Sequence, residues 1–397
     1  MNTMRRLLAT SVAVAVPLLL AVSLVGPSEA ALSANPSNPL AKPGPWNHST
    51  IATRANPEFT NYRDEPDPAR KAALAKIAKS PKARWFANCR SCNVDSVRKN
   101  VAAYVVDAQR SNPDALVQLA IFGLWPDGEV VDGKRPAMSW SMERYQRWIR
   151  QIAAGIGTAR VAIILEPDLA ISANHANGGR ELRDPTPGVR MRMTAWAARY
   201  LSQTLRREAI YIDAGSADWL YVDEAVRLLR ASGVQYVRGF ALGATHYDSV
   251  ASNVAFAAKV SAALSRGGIR GKRAVIDTAD NGTPFTWKQW DARWGAKYRA
   301  TRNEYYQFDN TPTCGSRTER VCQSLGHRPT WNPVGPESAK LGLGPDAPGL
   351  RQQAARVVDG YLWFGRGWRW MQQGGLDSRT EFRSVRMANS TRFTQAR

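Results

Sequence analysis

Residues 161–170 read VAIILEPDLA, in which five consecutive apolar residues run directly into Glu166, Pro167 and Asp168. A short apolar run of this length is typical of a β-strand that is buried on both faces, as in a parallel sheet. The carboxylates after it would then lie at the carboxyl end of the strand. In parallel α/β folds these strand ends meet at one face of the domain, where active sites are built. Asp168 is therefore the first candidate functional residue.

The same pattern is repeated along most of the chain, with helix-like stretches before and between the apolar runs. The runs are 115–124, 161–165, 210–212, 236–242, 274–276 and 361–364, and the helix-like stretches are 68–79, 94–110, 141–154, 189–206, 221–231 and 249–264. This alternation predicts an α/β fold with parallel strands joined by helical crossovers, as either a barrel or a doubly wound sheet. The residues at the ends of the strands favour a distorted, TIM-like (β/α) barrel that forms a single catalytic domain.

The residues directly after the apolar runs are mostly acidic. They are Asp127 and Glu129, Glu166 and Asp168, Asp213, His246 and Tyr247, and Asp277 with Asp280. Several carboxyl groups in one cleft suit glycoside hydrolysis, because one must donate a proton to the leaving oxygen while others raise its pKa and position water. The sequence has neither an H-E-x-x-H zinc motif nor a G-x-S-x-G serine-hydrolase elbow. Helix caps and loop acids explain any single Asp equally well, but not the repeated placement.

Six short motifs occur in order between Ala162 and Trp363. They are AIILEPD (162–168), YIDAGSADWL (211–220), GFALGATHY (239–247), VIDTADNG (275–282), WNP (331–333) and DGYLW (359–363). Together they resemble the motifs of glycoside hydrolase family 6, the inverting endo-1,4-β-glucanases and cellobiohydrolases. The resemblance implies a β-1,4-glucan substrate and Asp168 as the general acid. It also implies substrate contacts at the matched positions Trp219, His246, Tyr247, Asp277, Asn281, Trp331 and Trp363. For the tryptophans, core packing is the competing interpretation.

Two of the family's motifs are altered. The first signature of the family, Y-N-x-P-x-R-D-C, corresponds to IFGLWPDGE at 121–129, where alignment on Pro126 places Glu129 at the Asp that raises the pKa of the acid. Asp127 is the second candidate for that role. The second altered segment reads LWFGRGWRWMQQGGLD, so that Met371 stands at the spacing of the family's base.

These changes leave the catalytic base open. Asp377 takes that role only if six extra residues loop out, and Asp213 and Glu129 are alternative proton acceptors. The family's lysine in this segment is also missing, and Arg366 is the nearest cation. A non-catalytic polysaccharide- or cell-wall-binding protein on a degenerate glycosidase scaffold is therefore the alternative function.

The first thirty residues of the chain predict export. Residues 1–30 have a charged start, an apolar core and a small-residue cleavage site, which is typical of a secretory signal peptide and favours it over a membrane anchor. Residues 31–54 then form an extended lead-in and residues 55–397 the catalytic domain. We expect a secreted, extracellular monomer without a stable membrane insertion, a metal or a cofactor. No appended binding module is visible, which favours endo action, although the long stretch 281–358 has the length to form a loop over the cleft.

The chain carries 54 Lys and Arg against 33 Asp and Glu, a formal net charge of +21. These basic residues are scattered and no nucleic-acid motif accompanies them, so attraction to anionic wall polymers, or solubility, is favoured over nucleic-acid binding. Four cysteines in an oxidising compartment favour disulfides. The sequence leaves their pairing open, and we favour Cys89–Cys92 and Cys314–Cys322 over a metal site.

Overall fold

The sheet of the domain contains seven parallel strands that follow one another in chain order. The computed structural model describes residues 37–41, 44–87, 93–124, 141–170, 188–244, 246–373 and 375–395. The strands are β1 (Arg84–Ala87), β2 (Val117–Phe122), β3 (Val161–Leu165), β4 (Glu208–Asp213), β5 (Gly239–Leu242), β6 (Arg273–Asp277) and β7 (Val358–Leu362). Each strand pairs with its predecessor, in the order β1 to β7. The sheet curls into an open, distorted barrel, which confirms the predicted α/β fold class.

Helices cover the outside of this sheet and extend beyond its last strands. They are α1 (Pro57–Asp64), α2 (Pro68–Ala78), α3 (Ser96–Gln109), α4 (Met142–Ile156), α5 (Val189–Thr204), α6 (Val222–Ala231), α7 (Val250–Arg266), α8 (Trp287–Trp290), α9 (Ala296–Thr301), α10 (Pro348–Val357) and α11 (Ser378–Ser390). Several begin at a side chain that accepts a backbone N–H, such as Ser141 before α4 and Ser249 before α7. Such caps satisfy donors that have no partner within the helix.

Strands β2 to β7 bury both of their faces, which is why most of them read as apolar runs. In β3, Val161, Ile163 and Leu165 pack against the helices. Ala162 and Ile164, on the opposite face, pack in the barrel interior. Nearly half of the residues in this interior cluster are alanines, beside larger ones such as Tyr211 and Phe364. The interior cluster includes Ala120, Ala162, Ala209, Ala241, Val275 and Leu362.

The first and last strands approach each other along a seam. The backbone N–H of Ala83, just before β1, donates to the carbonyl of Trp363 just after β7, at 2.7 Å. The indole N–H of Trp85 donates to the carbonyl of Phe364 at 2.8 Å. Part of the predicted lead-in also crosses this region, because the Asn38 amide donates to the carbonyl of Asp359 at 2.5 Å.

Two further predictions concern the disulfides and the N-terminal signal peptide. Cys314 and Cys322 form a disulfide, as predicted. Cys89, Cys92 and the predicted signal peptide at 1–30 lie outside the described residues. Within the described ranges, the helices are all too short or too polar to cross a membrane.

Candidate active site

A strained turn at the end of β3 presents Asp168. Glu166 and Asp168 have φ values of 54° and 63°, in the left-handed region that non-glycine residues rarely adopt. Backbone strain of this kind persists only where surrounding contacts fix it, and it occurs often at functional sites. Here the carboxylate of Glu166 provides the contacts that fix the turn.

Glu166 is buried and accepts three hydrogen bonds. Its Oε2 accepts the backbone N–H groups of Gly123 and Leu124, both at 2.9 Å, and its Oε1 accepts the hydroxyl of Tyr145 at 2.6 Å. Burial raises the pKa of Glu166 to about 7, although these hydrogen bonds oppose the rise. Glu166 therefore ties the turn to the end of β2, and it positions Asp168 without being accessible itself.

Asp213, at the end of β4, lies next to Asp168. Its Oδ2 faces the backbone N–H groups of Ala170 and Gly215 at 3.5 and 3.4 Å. Its Oδ1 is buried without a hydrogen-bond partner within the described ranges. Burial, and then the charge of Asp168, raises the pKa of Asp213 to about 8. Because Asp168 is partly exposed and Asp213 is fully buried, only Asp168 is accessible to a ligand.

A polar and aromatic cluster follows β4 and β5. The imidazole Nδ1 of His246 lies 3.0 Å from Oδ1 of Asp218, and the ring stacks on Trp219 with centroids 4.8 Å apart. Burial lowers the pKa of His246, but the hydrogen bond to Asp218 and its charge outweigh this effect, so the pKa is raised. The other oxygen of Asp218 accepts the backbone N–H of Trp287, which is 48% exposed. Sequence reasoning missed Asp218, although it lies within the matched motif 211–220, and Trp287, which lies five residues beyond the motif 275–282.

Two buried acids join the end of β6 to the segment after β7. Asp277 accepts backbone N–H groups from Ala279, at 2.8 Å, and from Gly365. Asp280 accepts the backbone N–H of Gly367 at 3.1 Å. A Cβ at Gly365 would lie 2.6 Å from Oδ2 of Asp277, so only glycine allows this close approach. Burial raises the pKa of Asp277 well above its usual range and that of Asp280 to about 7.

Several residues predicted to contact substrate are buried in the structure. Tyr247 is fully buried and donates its hydroxyl to the carbonyl of Asp309 at 3.2 Å. Asn281 donates its amide to the carbonyl of Asp277 at 3.3 Å, and Trp363 donates its indole N–H to the carbonyl of His327 at 2.8 Å. Trp363 has no exposed surface, which agrees with the core-packing interpretation.

The remaining predicted residues lie in different settings. Trp331 is 37% exposed, but it lies beside the amino end of β7, away from the strand ends that carry the acids. The Asn38 amide donates to its carbonyl at 3.2 Å and also to that of Asp359. Asp377 caps α11, where its Oδ1 accepts the backbone N–H of Thr380 at 2.8 Å, so a helix start explains this acid. Glu129 and its alternative Asp127 lie outside the described residues.

The comparisons with known proteins agree with this geometry. Residues 43–301 match the sequence model of Glycosyl hydrolases family 6, well over half of the chain. The chain belongs to this family. It is 32% identical over 212 residues to endoglucanase A of Cellulomonas fimi, covering 53% of this chain and 42% of that protein. It is 28% identical over 296 residues to endoglucanase A of Thermobispora bispora, covering 73% and 58%. The chain thus spans less than two thirds of the length of these family 6 relatives.

A solved family 6 structure shares the fold. The endoglucanase Cel6 from Mycobacterium tuberculosis, in complex with a methyl-cellobiosyl-4-deoxy-4-thio-β-D-cellobioside, superposes with a TM-score of 0.60 at 21% identity. The match covers 89% of this chain and 99% of that one. At this level of identity the likeness supports the barrel architecture alone.

Proposed function

We propose that this family 6 protein hydrolyses β-1,4-glucosidic bonds with inversion and that Asp168 is its general acid. The observation that carries the proposal is the pair formed by accessible Asp168 and buried Asp213 at neighbouring strand ends. Carboxyl groups this close do not ionise independently, so the pair holds about one proton near neutral pH. The family relationship supports the reaction class, and the relatives named endoglucanase support an endo mode of action.

The proton's position decides the mechanism. In the unliganded protein, burial favours a proton on Asp213. A sugar covering Asp168 excludes water from that carboxyl and raises its pKa, which moves the shared proton toward Asp168. Asp168 then donates it to the glycosidic oxygen as the bond to the anomeric carbon breaks. Water attacks the opposite face of the sugar, which gives the inverted anomer.

The attacking water must lose a proton to a base. Asp377 is engaged as a helix cap. We therefore propose Glu129 as the acceptor. Because Asp213 is fully buried beside Asp168, it takes this role only through relayed water molecules, once Asp168 has taken the shared proton. Trp219 and Trp287 offer partly exposed aromatic faces that suit stacking on glucose rings.

The test compares wild type with Asp168→Ala and with Asp346→Asn, which removes an exposed carboxylate outside the strand ends. Reducing-sugar release from barley β-glucan should fall at least ~100-fold in Asp168→Ala and stay unchanged in Asp346→Asn. Proton NMR of the products should show the α-anomer first. Equal release by Asp168→Ala and wild type would remove Asp168 from the mechanism.

The alternative, a non-catalytic polysaccharide-binding protein, is favoured by one observation. The family's base position holds Met371, whose backbone N–H donates to Oδ1 of Asn310 and whose side chain cannot accept a proton. Retention on insoluble cellulose with no product from any β-glucan would support this alternative over hydrolysis.

We further propose that residues 1–30 are removed and the remainder secreted, which N-terminal sequencing of the extracellular protein would test.

A further inference from the structure

A small cavity lies beside the seam between β1 and the segment after β7. Its volume is about 60 Å³, which accommodates a carboxylate or a few water molecules but not a sugar ring. The residues that line it are Ser49, Ala55, Asn56, Glu58, Lys82, Ala83, Arg84, Trp85, Tyr104, Arg366, Trp368 and Arg369. Four of these side chains are basic and one is acidic.

The one acidic side chain that lines this cavity, Glu58, already has partners. Glu58 accepts two hydrogen bonds from the guanidinium of Arg369, at 2.5 and 2.9 Å, and one from the indole of Trp368 at 2.6 Å. Lys82 donates to backbone carbonyls at the end of α2, including that of Ile77 at 2.9 Å. These contacts leave Arg84 and Arg366 facing the cavity without a carboxylate of their own within the described ranges.

Arg366 is held in place by an aromatic ring rather than by an acid. Its guanidinium carbon lies 3.9 Å from the ring centroid of Trp85, whose indole is anchored on the carbonyl of Phe364. The Nε of Arg366 is buried and has no hydrogen-bond partner in the described part of the chain. A guanidinium stays charged in proteins, so this cation requires an anion or water in the cavity.

The cavity is also close to the catalytic acid. Burial and the charge of Arg369 lower the pKa of Arg366 to about 9, while the charges of Glu58 and Asp168 act in the opposite direction. Arg366 also stands between Gly365 and Gly367, whose backbone N–H groups bind Asp277 and Asp280 at the carboxyl end of β6. A group bound by Arg366 would therefore lie next to the face of the sheet that carries the acids.

We propose that this cavity binds the carboxylate of an acidic sugar unit, so that the preferred substrate is a β-glucan bearing uronate or carboxyl substituents. A guanidinium presents parallel N–H donors that match a carboxylate, and Trp85 holds it in a fixed plane. The net charge of +21 would concentrate an anionic polymer near the protein. The substrate assignment rests on the proposed function, whereas carboxylate binding by the cavity does not.

Binding is tested first, without catalysis. Isothermal titration calorimetry at low salt compares methyl β-D-glucuronide with methyl β-D-glucoside on wild type, Arg366→Gln and Arg84→Gln. The control is Arg293→Gln, which removes an exposed arginine that also lies over a tryptophan ring, that of Trp294 at 4.8 Å. We expect binding of the glucuronide only, at least tenfold weaker in both cavity variants and unchanged in the control.

Three results would overturn the binding proposal. The first is equal affinity for the glucuronide and the glucoside, and the second is no binding of either. The third is equal affinity for inorganic sulfate and the glucuronide, which would show a general anion site rather than a sugar site.

Hydrolysis is tested second, on carboxymethyl cellulose against neutral hydroxyethyl cellulose. Wild type should prefer the carboxymethyl polymer, and Arg84→Gln should lower that preference about tenfold with little change on the neutral polymer. An unchanged preference would overturn the substrate assignment while leaving hydrolysis intact. Absence of hydrolysis of either polymer, with glucuronide binding retained, would instead count against the proposed function.

Discussion

Replacing the buried acid Asp213 by asparagine should stabilise the protein and at the same time inactivate it. The pKa of Asp213 is about 8 in the folded protein against an ordinary value of 3.8, so the folded state binds the proton more tightly than the unfolded state. Between these two values the wild type loses stability as pH rises, because folding must then keep a proton that the unfolded chain releases. Asparagine is neutral at every pH and does not incur this cost.

The size of the effect depends on the two pKa values. At pH 5 the cost of burying Asp213 is about 2 kcal/mol, and at pH 8 it is about 5 kcal/mol. The free energy of unfolding of Asp213→Asn, relative to wild type, should therefore rise by about 3.5 kcal/mol between pH 5 and pH 8. Glycan hydrolysis should fall at least ~100-fold, because the pair with Asp168 no longer shares a proton.

Urea denaturation at both pH values, followed by tryptophan fluorescence, measures the difference. Asp346→Asn serves as the control, because it removes an exposed carboxylate. Its stability relative to wild type should not change with pH. The same relative stability of Asp213→Asn at pH 5 and pH 8 would refute the claim that this carboxyl is held protonated.

Three other variants probe the contacts that position the site. Glu166→Ala should lower the free energy of unfolding by about 3 kcal/mol and abolish activity, because three buried donors lose their acceptor. Glu166→Gln keeps an acceptor oxygen, so it should lose less stability and less activity. Replacing Cys314 and Cys322 together by alanine should cost about 2 to 3 kcal/mol in urea denaturation, since the bridge closes a short loop, and an unchanged midpoint would contradict this. Asp359→Asn should lower the free energy of unfolding by about 3 kcal/mol, because it leaves Arg238 without its counter-charge. Activity below the unfolding midpoint should be unchanged, because this pair lies away from the strand ends that carry the acids.

Most strands that are buried on both faces could be predicted from sequence. β7 (Val358–Leu362) is an exception, because Asp359 and Gly360 interrupt its apolar pattern and the predicted run 361–364 overlaps only its end. The run 161–165 coincides with β3, and the run 274–276 lies within β6. β1 (Arg84–Ala87) was not predicted, because it is short and only Phe86 of its four residues is buried, while Ala87 is exposed. Its position depends on contacts with the segment after β7, which is distant in the chain.

Side-chain roles were harder to predict than strand positions. The E-P-D motif identified Asp168, but the anchoring of Glu166 depends on donors from β2 and α4 that no local pattern reveals. Trp363 matches a family motif, yet a strand buried on both faces gives no sequence signal for which residues reach the cleft. For Asp377 a signal was present, since an aspartate directly before a helical stretch is a common N-cap.

The chain-order arrangement of the sheet has a consequence for how the protein folds. Each of strands β2 to β7 pairs with the strand that precedes it, so the sheet can grow one strand at a time as the chain is synthesised. The seam is different, because Ala83 and Asn38 bind residues near β7 that are synthesised after the other strands. We therefore expect the two ends of the sheet to join in the final step of folding. Until that step, the edge of β1 that faces the seam stays open to mispairing with other chains.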